Sequence, residues 1–449
     1  VFDRAVRHIF NKNGFTPEML ADPEIADLIE ETYNAIDQAV QTSIRTETPP
    51  ELTSALENNA FVFSGFKTYH QLSEVGLSLT RRDGSVKPFK EFREDVEAIN
   101  SRYNGSYLYA EYNHAIHASQ MAVKWNDFVK DGDEYYLQYR TAGDDRVREA
   151  HARLDGTTLP PSDPFWNEFL PPNGWNCRCQ TVQVLRDDYA LSDSQRAIEN
   201  GRQCTSEPKQ QMFRFNPGKE MKIFPPKHPY LPRGCGDCGN HLNFAYNPNS
   251  AKCKACKGIQ YLADCHSERD MLCKLQGLIE LKGSEKLRRL REIILERTFK
   301  KVDGHKGVMA SVGDSDPDYD RLISCADKCV EKGYDVYLLP NPKGLRTPDV
   351  ILSGRNYIAA YDIKTIMGEA SVGNRLTESI GQTNRVILNM AVTYNARSLA
   401  HDIKSYFETN ESAEEVMILK GHRQISVFRK WALSKNFIPE LMKQYGAKK

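Results

Sequence analysis

Three groups of residues in this 449-residue chain combine types and spacings that can do chemistry. The first is Cys235-Gly-Asp-Cys238, followed after fourteen residues by Cys253-Lys-Ala-Cys256. Each Cys-x-x-Cys turn presents two thiolates to one ion, and two such turns fill the four tetrahedral positions of zinc. Gly234, Gly236 and Gly239 ease the backbone around the first turn. With no position left for a substrate, that zinc is expected to be structural, and a block of about 30 residues depends on it for stability. The second group is His151 with Cys177 and Cys179. Imidazole and thiolate suit zinc, but the sequence offers no evident fourth ligand. The alternative is a hydrogen-bonded core histidine, with both cysteines packed against Trp166 and Trp175.

The third group is Thr347-Pro348-Asp349 and Asp362-Ile363-Lys364, with twelve residues between the two aspartates on consecutive expected strands. Period-two alternation places Asp362 and Lys364 on one face of their strand. Two chemistries are open. In a metal-dependent nuclease of the PD-(D/E)xK kind, Asp349 and Asp362 would hold Mg²⁺, and Lys364 would orient water or stabilise developing charge. In a metal-independent ribonuclease, Lys364 with Ser379, Gln382, Thr383 and His422 would stabilise the phosphorane and move protons.

The elements that must position these groups follow from periodicity. Residues 16–46 and 105–128 carry apolar side chains at helical spacing, so residues 1–130 are expected to form a helical bundle. Residues 133–142 read as a strand leading into a helical run that holds Arg146, Arg148 and His151. Pro160-Pro161 and Pro171-Pro172 keep the segment before Cys177 irregular. Residues 131–190 thus read as a small α+β domain. Residues 191–232 read as an extended linker that wraps back through Phe213, Phe215 and Phe224. Residues 233–262 are the expected zinc ribbon, and 263–300 a charged helical linker broken near Gly283. From 301 to 449, strands at 336–339, 348–352, 357–364, 416–419 and 424–428 alternate with helices. They predict a small α+β domain with a mainly antiparallel sheet. The expected fold class is multidomain α+β.

A hydrophobic content of 40% and a charged content of 27% are those of a folded chain. No apolar run reaches the roughly 18 residues of a membrane span, so no membrane partner is expected. The first residues lack the form of a secretory signal. Net charge is zero, yet residues 1–200 hold 20 Lys/Arg against 32 Asp/Glu, leaving 40 against 28 in the remainder. Any polyanion contact is expected in that basic second half. None of the eleven cysteines precedes Cys177, and four are clustered. This pattern favours metal sites in a reducing compartment over a disulfide framework. No glycine-rich nucleotide loop is present, so no ATP-driven step is expected.

Residues 144–179 read DDRVREAHARLDGTTLPPSDPFWNEFLPPNGWNCRC. The joint set D-R-V-R-x-x-H, L-D-G, P-F-W and P-P-N-G-W-N-C-R-C resembles the signature of the MuF-type minor head, or head-morphogenesis, proteins of tailed phages. The resemblance covers roughly residues 100–190. It implies a non-catalytic role beside the portal in head assembly, with portal and capsid proteins as partners and the virion or bacterial cytoplasm as location. MuF-type domains are also known to carry variable C-terminal toxin domains. The order T-P-D, D-x-K-T, a helix bearing Q-T-N and two closing strands is similar to nuclease domains of contact-dependent inhibition toxins of the barnase/EndoU/colicin/RelE-like group. That similarity implies an RNA-cleaving, tRNase-type effector at residues 301–449, with an immunity protein as a further partner. A Mg²⁺-dependent PD-(D/E)xK nuclease and a wholly structural virion protein are the alternatives.

Overall fold

The computed structural model describes residues 1–231, 251–311, 319–341, 346–368 and 372–446. The chain divides into two units, Val1–Ala263 and Asp264–Lys449.

In the first unit, helices α1 (Phe2–Asn11), α2 (Pro23–Gln41), α3 (Pro50–Ser78), α4 (Phe89–Ser101) and α5 (Leu108–Asp131) form the expected bundle. Proline opens α2 and α3, where its missing N–H forfeits no helical hydrogen bond. The periodic residues Ile25, Leu28, Ile29, Ile36 and Val40 of α2 are buried, and α2 packs on α3 and α5. Helix α3 escaped the periodicity because its middle is buried all round, polar Lys67, Thr68 and Gln71 as well as Phe61, Val62, Phe63 and Phe66. An ion pair between Lys67 of α3 and Glu111 of α5 is sealed in the same core.

A three-stranded sheet follows, with β1 (Tyr136–Arg140), β2 (Thr158–Leu159) and β3 (Gln180–Val184) in the order β2-β1-β3, antiparallel throughout. The helical run expected from Arg146 is shorter than the sequence suggested. Only α6 (Glu149–Ala152) is helical, and Arg146 and Arg148 precede it. Helix α7 (Phe165–Phe169) buries Phe165, Trp166 and Phe169 against the sheet's core.

Residues 191–231 are not the extended linker expected. They hold α8 (Ser194–Cys204), whose cap is the Asp193 carboxylate accepting from the Arg196 N–H at 2.7 Å, and the single turn α9 (Pro217–Glu220). So polar a helix leaves little apolar pattern to read. Phe213, Phe215 and Phe224 are buried, as expected. Phe224 stacks on Phe63 of α3, and His114 of α5 donates to the Ile223 carbonyl at 3.0 Å, so this strap closes over the bundle.

Cys235 and Cys238 lie outside the described residues. Cys253 and Cys256 stand at the start of α10 (Ala251–Leu275), so the described part of the expected ribbon is helix. Ala255, Ile259 and Ala263, each four residues on, pack into the bundle core and hold that helical register.

In the second unit, α11 (Gly283–Ile294), α12 (Tyr319–Val330), α13 (Val372–Glu378), α14 (Ala396–Thr409), α15 (Arg429–Ala432) and α16 (Phe437–Gly446) accompany one eight-stranded sheet. Its strands are β4 (Lys300–Lys301), β5 (Val308–Ala310), β6 (Asp335–Leu338), β7 (Val350–Gly354), β8 (Tyr357–Ile366), β9 (Arg385–Met390), β10 (Glu415–Lys420) and β11 (Arg423–Phe428). They lie side by side in chain order. The expected mainly antiparallel sheet is instead mixed: β5–β6, β8–β9 and β9–β10 are parallel, and the other pairs antiparallel. Parallel neighbours need crossovers, which α13 and α14 provide around β9. That strand is consequently buried on both sides, with Val386 and Leu388 in one core and Ile387 in the other. Among the described residues, no helix is long and apolar enough to cross a membrane.

Candidate functional site

The first unit brings His151, Cys177 and Cys179 together. His151 sits on α6, and the cysteines flank Arg178 in the turn that enters β3. That turn starts with the Cys177 N–H on the Gly174 carbonyl (3.2 Å), and Asn176 takes the left-handed conformation that Asn tolerates well. The His151 Nδ1 lies 3.5 Å from Cys177 Sγ and 3.6 Å from Cys179 Sγ. One ligand atom from each residue falls within 4.8 Å of the others, and all three are buried.

The arginines of the motif brace this cluster. Arg178 grips Asp144 through two 2.6 Å hydrogen bonds, which hold the Asp144 carboxyl down at about 2. Arg148 donates to the Trp175 carbonyl at 2.5 Å and reaches His151 Nε2 at 3.5 Å. A cavity of about 420 Å³ opens beside the cluster, lined among others by His117, Arg146, Arg148 and Arg178.

The three groups share their charge unequally. Hydrogen bonding from Cys179 and then the adjacent His151 hold the Cys177 thiol well below its ordinary range, against the cost of burial. Cys179 is pushed up by Cys177 and by burial. Burial opposes the positive charge on His151, but Cys177 and Cys204 outweigh it and raise the ring to about 9. Two thiols and an imidazole, all buried and converging at the edge of this cavity, are a soft donor set that fits zinc.

In the second unit, Asp349, Asp362 and Lys364 also converge. Val350 pairs with Tyr361, and the Asp349 N–H donates to the same Tyr361 carbonyl at 2.9 Å. Two residues therefore face one, as in a β-bulge, a device that re-aims a side chain. The Asp349 Oδ2 turns onto the Ile363 N–H at 2.6 Å. Asp362 is fully buried, its Oδ2 makes no hydrogen bond, and the Lys364 ammonium stands 3.0 Å from that oxygen. Burial, and then the neighbouring Asp362 carboxylate, push the Asp349 carboxyl well up. One buried and one half-buried carboxylate beside a single ammonium are oxygen donors of the kind a divalent cation takes, so the residues present fit Mg²⁺.

Asp349, Lys364 and Gln382 line a cavity of about 220 Å³ together with Arg321, Arg346 and Arg375. The other expected residues are elsewhere engaged. Ser379 is buried and donates to the Leu376 carbonyl at 2.7 Å, and Thr383 donates to the Ala360 carbonyl at 3.1 Å. His422 is exposed beside Glu331 at 3.1 Å. Among the described residues, no histidine lines this cavity. Sequence reasoning missed the three arginines, because helix α12, helix α13 and a loop deliver them from distant stretches of chain.

A small antiparallel sheet with a buried His/Cys cluster behind an arginine-lined cavity defines a compact α+β domain in the first unit. Residues 81–182 match the family described as Phage Mu protein F like protein, so this stretch is a Mu F-like domain. The capsid assembly protein F of Escherichia phage Mu is 39% identical over 70 residues, 15% of this chain and 16% of that protein. The Mu-like prophage FluMu F protein of Haemophilus influenzae is 34% identical over 77 residues, 17% of each chain. The chain thus spans 16% and 17% of the lengths of these relatives. No solved structure matches it. The family match ends at residue 182, well before the second unit.

Proposed function

We propose that this chain acts in phage head assembly through its Mu F-like domain and cleaves nucleic acid through its second unit. The first half of the reading is supported by the family match and by the relative from phage Mu, whose description is that of a capsid assembly protein. Portal and capsid proteins would be its partners, and the virion or bacterial cytoplasm its location. Zinc held by His151, Cys177 and Cys179 would stiffen the turn into β3 and serve no reaction. Mass spectrometry of purified particles tests this half: the chain is expected in the head, and its absence would count against assembly.

The convergence of Asp349, Asp362 and Lys364 carries the second half. A divalent cation held by the two carboxylates would polarise a phosphoryl oxygen and activate water. Lys364 would stabilise the charge that builds on the phosphate, and the three arginines would bind the flanking backbone. This geometry favours the metal-dependent nuclease over the metal-free ribonuclease, since His422 is turned to Glu331 and, among the described residues, no histidine lines the cavity.

The full chain should therefore be incubated with DNA and with RNA, including tRNA, in Mg²⁺ and in a chelator. Cleavage is expected only with Mg²⁺, and Lys364→Ala should slow it by about 10²–10³-fold. RNA cleavage that persists in the chelator would restore the metal-free reading. No cleavage of any substrate would leave the second unit a structural part of the particle.

A further inference from the structure

We propose that the cavity of the Mu F-like domain is a nucleotide pocket, which takes a phosphate on its arginines and an unpaired base on Tyr109. The proposal does not depend on a metal at His151, Cys177 and Cys179. The cavity encloses about 420 Å³, within the roughly 300–1,000 Å³ usual for small-ligand sites. Its two walls differ in character. One is cationic, carrying Arg146, Arg148 and Arg178, and among the described residues no carboxylate lines the cavity. Residues 1–200 hold 32 Asp/Glu against 20 Lys/Arg, so this concentration of arginine runs against its surroundings.

The guanidiniums are held in place with donors to spare, since each carries five N–H bonds. Asp144 fixes Arg178 through one 2.6 Å hydrogen bond to each Nη, which uses two of the five. Arg148 is anchored on the Trp175 carbonyl, and Gly174 makes room for it: a Cβ there would stand 2.8 Å from Arg148 Nη1. Arg146 reaches Asp144 only at 3.5 Å, and its side chain is 76% exposed. Among the described residues, Asp144 is the carboxylate that pairs with these arginines, which leaves positive charge in excess. Fixed, fork-shaped donors with unbalanced charge suit the oxygens of a phosphate.

The other wall belongs to α5. Tyr109, Asn113 and His117 are spaced four apart, so they lie along one face of the helix, and all three line the cavity. Tyr109 is 68% exposed, which leaves its ring open to stacking. Asn113 and Asn176, whose amides meet at 3.4 Å, offer donors and acceptors to a base edge. Cations on one side and an aromatic and amide face on the other match the two ends of a nucleotide. An acidic peptide would engage the arginines and leave the α5 face unused. A base within a duplex is stacked and paired, so the fitting ligand is a nucleotide that is free or unpaired in a strand.

Photo-crosslinking of a 5′-phosphorylated tetranucleotide bearing 5-iododeoxyuridine tests this on the full chain. Lys364→Ala and the omission of Mg²⁺ keep cleavage from intruding. Crosslinks are expected in residues 108–117, and their yield against concentration gives the affinity of this site separately from that of the second unit. Arg146→Gln should raise the midpoint by roughly 10-fold or more, the effect of one lost charge-assisted hydrogen bond. Tyr109→Phe should leave it unchanged, because the ring remains. Thymidine monophosphate should displace the probe, with inorganic phosphate and thymidine each at least about 10-fold weaker. A tetranucleotide that outcompetes the mononucleotide assigns the pocket to a strand, and equal competition assigns it to the free nucleotide. Crosslinks confined to residues 264–449, or an unmoved midpoint in Arg146→Gln, would overturn the pocket and leave the reading of the second unit standing. Displacement by inorganic phosphate or by a glutamate-rich peptide as readily as by the mononucleotide would overturn the role of the base. Equal crosslinking from a blunt duplex would overturn the requirement for an unpaired nucleotide.

Discussion

Mild acid should loosen the strap that residues 213–230 draw over the helical bundle. His114 lies beneath it and His228 within it, both among aromatic rings, with Trp175 edge-on to both and Phe63 against His228. Burial pulls His114 down to about 4 and His228 to about 3, from an ordinary value of 6.5. Both folded values are depressed, so between 6.5 and the folded pKa the unfolded chain binds more protons. The stabilisation from keeping each ring neutral is fully present above 6.5 and is lost as pH falls. Each histidine contributes a slope of about 1.4 kcal/mol per pH unit. The slope is half of that at pH 6.5 and full only further down, so lowering the pH from 6.5 to 5 should cost the first unit about 3 kcal/mol, a large part of a domain's usual about 5–15 kcal/mol. Urea unfolding followed by tryptophan fluorescence reads this well. Trp125, Trp166 and Trp175 report on the first unit, and Trp431→Phe silences the second. A His114→Gln/His228→Gln chain keeps an N–H for the Ile223 carbonyl but does not titrate, so its profile should be flatter by that amount. Equal acid sensitivity in both chains would refute the argument.

Other outcomes follow from the same geometry. Lys67→Met should destabilise the first unit by about 3–5 kcal/mol in urea, because it strands the buried Glu111 carboxylate, while Lys67→Met/Glu111→Leu should recover most of the loss. Gly201→Ala should cost about 1–3 kcal/mol by the same assay, since the new methyl meets the Phe169 ring. Mg²⁺ at about 100 times its dissociation constant should stabilise the second unit by about 2.7 kcal/mol in wild type. Calorimetry should find that increment missing in Asp349→Asn, and an unchanged increment would remove Asp349 from the cation site.

Much of the second unit was legible because its strands are short apolar runs between turn residues, and β7, β8, β10 and β11 fall where alternation puts them. Direction was not legible: nothing in residues 385–390 says whether their neighbours run parallel, since crossovers are set by how α13 and α14 pack. The Asp349, Asp362 and Lys364 group was readable from spacing, whereas the bulge that re-aims Asp349 depends on a cross-strand hydrogen bond. His151, Cys177 and Cys179 stood out by type.

The strap also bears on how such a chain can be recombined. A piece exchanged between genomes must bring its own lid, or arrive with a sticky wound. Cutting at residue 182 would bare Phe63, His114 and Trp175, whose covers are Phe213, Phe224 and Tyr230. The inheritable block is thus longer than the recognisable motif, and a viable seam for swapping cargo falls after residue 263, beyond the α10 residues that fill the bundle core. Downstream sequence can then change freely without exposing the older fold.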